Sequence, residues 1–129
     1  MIYLTDKELL EQFQVELCIF HGDLLERDGF YEPEFRVVYI NSLLNNEERH
    51  RVLLHELGHI THNPVNYQRL LVKYENEADR FMVRTLLEEE LAQYDVADFN
   101  WLQFAKRHKI STTWGEKMIQ EEFKNIVGI

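Results

Sequence analysis

The segment His55-Glu56-Leu57-Gly58-His59 constrains this chain more than any other. Two histidines four apart on an α-helix differ by about 40° around the axis and about 6 Å along it, close enough to chelate one ion. Zinc favours imidazole nitrogen and carboxylate oxygen, and a catalytic site uses three protein ligands while leaving a fourth position for water. Glu56 projects from an adjoining arc, where its carboxylate is expected to take a proton from that water instead of ligating the ion. On the helical wheel Val52, His55, Glu56, His59 and His62 share one side, beside an apolar stripe of Leu53, Leu57 and Ile60. The ligands therefore border a core-facing surface.

A third ligand must come from elsewhere, and the stretch Tyr74 to Phe81 offers Glu75, Glu77 and Asp79. Helical spacing separates them. Lys73, Glu77, Arg80, Arg84 and Glu88 fall on one narrow arc, read as a solvated charged face on which Glu77 has no special task. Glu75 lies opposite, with Leu71, Ala78, Met82 and Thr85, so an acid stands on an otherwise apolar face and needs a partner there. One zinc ion bound by His55, His59 and Glu75 supplies that partner. Asp79, one turn after Glu75, is placed to accept the distal N–H of His55 or His59 and fix the ring.

Around this pair of helices the punctuation predicts an α+β chain. Thr5 or Asp6 caps a first helix running to about Gln14, and Val15 to Phe20 reads as a strand. Breaks at His21-Gly22-Asp23 and Asp28-Gly29 precede Phe30-Tyr31 and a strand-like run from Arg36 to Asn41, giving two or three short antiparallel strands. Asn45 or Asn46 caps the motif helix, with Glu47 and Glu48 in its first turn and an end at Asn63-Pro64. The next helix is expected from near Tyr67 to about Leu91. Two shorter helices follow, parted by Lys109-Ile110-Ser111, the last opening on a capping-box pattern at Thr113 to Glu116. Trp101, Phe104, Ala105, Ile110, Trp114, Met118 and Phe123 have the spacing of core residues. The expected organisation is one domain over 1–129, with a catalytic core at 1–97 and a helical extension at 98–129 packed on it.

Charge narrows the partners. The 129 residues carry 14 Lys and Arg against 23 Asp and Glu, a formal charge of −9, which disfavours nucleic acid and anionic membranes. Residues 98–129 hold 5 basic and 4 acidic side chains, so direct nucleic-acid binding is not expected there either. The single cysteine, Cys18, allows no internal disulfide and reads as a small buried hydrophobe in an apolar strand. Met1 to Glu8 lacks the basic start and apolar run of a signal peptide, and no segment approaches membrane-spanning length, so a cytoplasmic protein is expected.

His55-Glu56-Leu57-Gly58-His59 followed by Glu75-Asn76-Glu77-Ala78-Asp79-Arg80-Phe81 resembles the ImmA/IrrE family of metallopeptidases, many of them carried by phages and integrative elements. The resemblance covers the central half of the chain, from the strand Val37–Ile40 to the Glu75 helix. It implies a small zincin-like domain, a short antiparallel sheet packed on the His-Glu-x-x-His helix with a helical C-terminal part. In related gluzincin-type peptidases the third ligand precedes an Asp by four positions, which maps onto Glu75 and Asp79. Met82 departs from the family, where a small residue is usual after the Phe, and a Pro often seen further along is absent. The resemblance implies an anti-repressor, a zinc endopeptidase making a limited cut in one regulatory protein, the transcriptional repressor of a mobile element. A further donor should steady the developing oxyanion, with His62, Tyr67, Tyr74 and His108 as candidates. The competing reading is a non-catalytic regulator with structural zinc, acting through its C-terminal helices.

Overall fold

Side chains that close the first turn of each helix set the frame. The computed structural model describes residues 4–128; Met1 to Tyr3, the start of the N-terminal stretch read above, lie outside them. Helix α1 (Asp6–Phe13) opens on a capping box in which the Thr5 hydroxyl accepts from the Glu8 amide at 3.2 Å and the Glu8 carboxylate accepts from the Thr5 amide at 3.1 Å. Helix α2 (Asn46–Leu57) repeats the device with Asn45 and Glu48, at 2.8 and 3.0 Å. Each cap contributes about 1 kcal/mol by satisfying amides that the helix cannot.

Between these helices run strands β1 (Glu16–Phe20), β2 (Gly29–Glu32) and β3 (Val37–Asn41), in the spatial order β1-β3-β2. The expected antiparallel pairing holds for β2 with β3, but β1 runs parallel to β3, from Glu16 opposite Val37 to Phe20 opposite Asn41. Residues 21–28 carry the chain past the central position, and the β2–β3 hairpin then folds back to place β3 in the middle. This sheet packs against α2 through β2 and β3. Val38 and Ile40 are buried, whereas β1 is an edge strand with Leu17 and Ile19 exposed. Cys18 is accordingly exposed, against the expectation of a buried hydrophobe, because no layer covers β1.

Helix α2 ends at Leu57, short of the expected Asn63-Pro64. The next amides reach back three residues instead of four, His59 to the Glu56 carbonyl at 3.0 Å and His62 to the His59 carbonyl at 2.9 Å, so the chain tightens without leaving the helical direction. A short turn of 3-10 helix (Pro64–Asn66), capped by Asn63, follows, and it delays α3 (Leu71–Leu91) past the expected start near Tyr67. Gly58 is where α2 meets α3. A Cβ on it would stand 2.7 Å from the Ala78 Cα and 3.0 Å from the Ala78 carbonyl oxygen, so the two backbones approach more closely than any side chain permits.

A second short 3-10 turn (Val96–Asp98) leads to α4 (Trp101–Arg107) and α5 (Thr112–Val127). Ser111, accepting from the Thr113 amide at 3.3 Å, caps α5 in place of the expected box starting at Thr113. The charged arc of α3 is also not merely solvated. Arg80 and Arg84 each donate to Glu122 of α5 at 2.7 Å, and that carboxylate is 1% exposed. Phe104, Ala105, Ile110, Met118 and Ile119 join one apolar core with Val38, Leu53, Leu54 and Leu87. Trp114 breaks the expected pattern and stays exposed. On the opposite flank His50 of α2 bonds Asp6 of α1 and Glu89 of α3; burial opposes its charge, but the two acids raise its pKa to about 9. Among the described residues no helix is long and apolar enough to cross a membrane.

Replacing Gly58 by Ala should destabilise the fold by about 1–3 kcal/mol, because the atoms it meets are backbone and cannot swing aside. Alanine in a helical backbone ordinarily gains about 0.5–1 kcal/mol over glycine, so the sign is informative. Urea unfolding checks it, and a midpoint equal to or above wild type would contradict the close crossing.

Candidate metal centre

The α2–α3 crossing at Gly58 and Ala78 sets the site. His55 lies on the last turn of α2, His59 in the tightened turn just after it, and Glu75 and Asp79 flank Ala78 on α3. His55 Nε2 and Glu75 Oε2 are 3.0 Å apart, His59 Nε2 and Glu75 Oε2 are 3.4 Å apart, and the two Nε2 atoms are 3.4 Å apart. A tetrahedral ion with bonds of about 2.0–2.1 Å separates its ligand atoms by about 3.3–3.4 Å. The trio His55, His59 and Glu75 therefore already has the spacing of a coordination face, and it forms the metal-ligand group among the described residues.

Each member of the trio has its own partner behind it. His55 Nδ1 lies 2.9 Å from Asp79 Oδ1, the placement expected of Asp79 from the wheel. Burial opposes a charge on His55, but Asp79, Glu56 and Glu75 together raise its pKa, so the position between its Nε2 and the Glu75 carboxylate favours a positive charge, which a bound cation would supply in place of the proton. His59 Nδ1 is 3.0 Å from His62 Nδ1, and His62 Nε2 is 3.4 Å from Glu77 Oε2. The partners assign the tautomers: His62 donates to Glu77 and accepts from His59, leaving His59 Nε2 free to ligate. The Tyr67 hydroxyl donates to Glu75.

This arrangement corrects several expectations. His62 lines the cavity but is engaged behind His59, stacked on Tyr74 at 4.0 Å between ring centroids. Glu77 is tied in through His62, because the turn after α2 folds His62 back onto α3. Tyr74 is buried on the far side of His62 and does not reach the cavity. His108 is elsewhere altogether: at the end of α4, beside Phe104 and Glu90, it lines a different cavity with His50. Of the four proposed donors, Tyr67 alone combines the cavity lining with a hydroxyl on a ligand carboxylate.

Two carboxylates close together have been given opposite characters. Burial pushes the Glu56 pKa up and the neighbouring Glu75 charge adds to it, against the opposing pull of His55 and Arg27. Burial would raise Glu75 too, but the Tyr67 hydroxyl and then His59 and His55 outweigh it and hold Glu75 below the usual range. Burial lowers the pKa of His59, which favours the neutral form a metal needs. Tyr67, half-buried and bonded to Glu75, is pushed up to about 12 and so stays a donor. Glu56 is outside the ligand trio. The cavity in front of it, about 390 Å³, is also lined by Phe30, Pro33, Pro64 and Arg27. Arg27, 5.4 Å over the Phe30 ring, has no sequence signal, since only strand pairing brings the loop before β2 to α2.

Zinc at about 100 times its dissociation constant should stabilise the protein by about 2.7 kcal/mol, raising Tm by several degrees. The increment should vanish in His59→Ala and Glu75→Ala, persist in Lys73→Ala on the outer arc, and need about 10–100 times more zinc in Asp79→Asn. Thermal melts with and without chelator measure it; an increment surviving Glu75→Ala would remove Glu75 from the ligand set.

A family model described as the IrrE N-terminal-like domain, Peptidase_M78, matches residues 10–123. No curated protein matches the chain. The matched span takes in the whole sheet, the metal-ligand trio with its supporting residues, and most of α5, which is the expected ImmA/IrrE resemblance extended from the central half to nearly all of the chain. The α+β architecture with a small mixed sheet and helical C-terminal part fits that assignment, and the metallopeptidase character of the family fits a His, His, Glu trio. The chain belongs to the IrrE N-terminal-like family of M78 peptidases.

Proposed function

We propose that the protein is a zinc-dependent endopeptidase that makes a limited cut in a specific regulatory protein, the transcriptional repressor of a mobile element being the first candidate. Glu56 carries this reading. A structural zinc site closes its shell, commonly with cysteine, and has no use for a half-buried acid beside an incomplete ligand set. Here the acid faces a cavity large enough for a peptide segment and is biased by its surroundings toward exchanging a proton.

His55, His59 and Glu75 hold the ion, which when bound supplies an activated water and polarises the substrate carbonyl. Glu56 takes the proton of the attacking water and returns it to the leaving amine. Tyr67, kept protonated and on the cavity wall, steadies the oxyanion once its hydroxyl turns from Glu75 to the substrate. Asp79 and the pair His62 and Glu77 keep the two imidazoles oriented. An extended peptide has a seat as well: β3 pairs with one edge of β2, and the other runs along the cavity, open to an added strand. Recognition by so short an edge favours one docked partner over general digestion.

The competing reading, a non-catalytic zinc regulator working through its C-terminal helices, is weakened by what those helices already do. Phe104 and Ile119 are fully buried in the core. Mixing wild type and Glu56→Gln with the repressor encoded beside the gene separates the two. Wild type should cut it at one position and the variant about 10²–10⁴ times more slowly, with zinc still bound. Equal cutting by both would remove Glu56 as the base, and no cutting by wild type would remove the repressor as substrate.

A further inference from the structure

Most arginines of this chain have their guanidinium committed. Arg36 and Arg49 donate to backbone carbonyls, Arg80 and Arg84 to Glu122, and Arg107 to Glu90. Arg27 is different. Among the described residues no hydrogen bond and no ion pair holds its guanidinium, which lies 5.4 Å from the centre of the Phe30 ring. It is also the one Lys or Arg among the described residues that line the cavity with Glu56. A cation–π contact uses the charge of an arginine and none of its five N–H donors. Arg27 therefore keeps its donors at the wall of the site.

The loop that carries it, residues 21–28, is tied down at this end. The Asn41 side-chain amide donates to the Arg27 carbonyl at 2.9 Å, and the Asn41 backbone amide donates to the Asp28 carbonyl at 2.8 Å. Asn41 is buried, so both bonds are sheltered from water. The field of Arg27 reaches Glu56 and Tyr67, where it opposes the burial that raises both pKa values. The guanidinium thus acts on the reacting groups without being neutralised by either. A chain of net charge −9 repels a carboxylate on average, and Glu56 and Glu75 repel one from the middle of the cavity. The Phe30 side is where a carboxylate can be accepted.

We propose that Arg27 is a specificity-determining residue that binds a carboxylate of the substrate on the β2 side of the cavity, beside the bond that is cut. The proposal rests on the metallopeptidase reading and adds what the site selects. The planar guanidinium fork matches a carboxylate with two parallel hydrogen bonds. An exposed ion pair is worth little, but a bidentate one gains from its geometry, and a peptide lying in the cavity displaces the water around it. The carboxylate comes from an Asp or Glu side chain or from a free C-terminus. A cut inside a chain calls for the side chain.

Phosphinic peptides, in which a phosphinate that ligates the metal replaces the amide that is cut, test this by calorimetry on the zinc-loaded protein. The parent carries alanine on both sides, between an acetyl and an amide cap. One pair of probes has Glu or Gln on the N-terminal side of the phosphinate, a second pair has Glu or Gln on the C-terminal side, and a fifth is the parent with a free C-terminal carboxylate. One Glu probe should bind wild type at least about fivefold more tightly than its Gln counterpart, the scale of a bidentate charge-assisted pair. That ratio should fall to within about twofold in Arg27→Gln and be partly kept in Arg27→Lys, with thermal melts showing both variants folded. A preference for the free terminus alone, abolished in Arg27→Gln, would uphold the Arg27 site and place its carboxylate at the chain end. A merely structural Arg27 would weaken every probe alike in Arg27→Gln. Such an unchanged ratio, or no carboxylate preference in wild type, would overturn the proposal while leaving the peptidase reading standing. Failure of every probe to bind wild type would overturn the metal centre and the Arg27 site together.

Discussion

The contact of Gly58 with Ala78 is the constraint on which the rest depends. Only a glycine opposite an alanine lets α2 and α3 come together at backbone distance, and the residues flanking that point are the chemically active ones. His55 and Glu56 precede the contact on one chain segment and His59 follows it; Glu75 and Asp79 bracket it on the other. A wider crossing would leave the same residue types facing one another across a gap too large for one ion. The early tightening of α2 into three-residue turns belongs to the same geometry, since it keeps His59 within 3.4 Å of both other ligand atoms.

Electrostatics then divides labour among groups of the same kind. Glu56 and Glu75 differ because desolvation dominates at the first, while the second is held by a hydroxyl and two imidazoles. Asp79 and Glu77 differ from both, since each faces the outer nitrogen of a histidine, directly for His55 and through His62 for His59. Four acids converge on three histidines within a chain of net charge −9. Such a cluster is relieved by a cation at its centre, which is where the ligand atoms point.

What the sequence made legible was local and periodic. The histidine spacing, the capping residues Thr5 and Asn45, and the separation of Glu75 from Glu77 all follow from 3.6 residues per turn. What it concealed depends on the chain folding back on itself. The parallel placement of β1, and with it the exposure of Cys18, is decided by which strand takes the central position. Arg27 reaches the cavity through strand pairing, His62 turns behind His59 because α2 ends early, and His108 lies with His50 because of how α4 packs. Glu122 gives no periodic signal as the buried partner of Arg80 and Arg84, and Trp114 has the spacing of a core residue while remaining exposed.

The central claim is that two imidazoles and one carboxylate, His55, His59 and Glu75, hold a single ion beside a base that does not ligate it. X-ray absorption at the zinc edge of the zinc-loaded protein tests it most directly. The expected result is one zinc per chain with only nitrogen and oxygen neighbours at about 2.0–2.2 Å, two of them imidazoles. A third imidazole, which would bring His62 into the shell, or a sulfur neighbour at about 2.3 Å would contradict it.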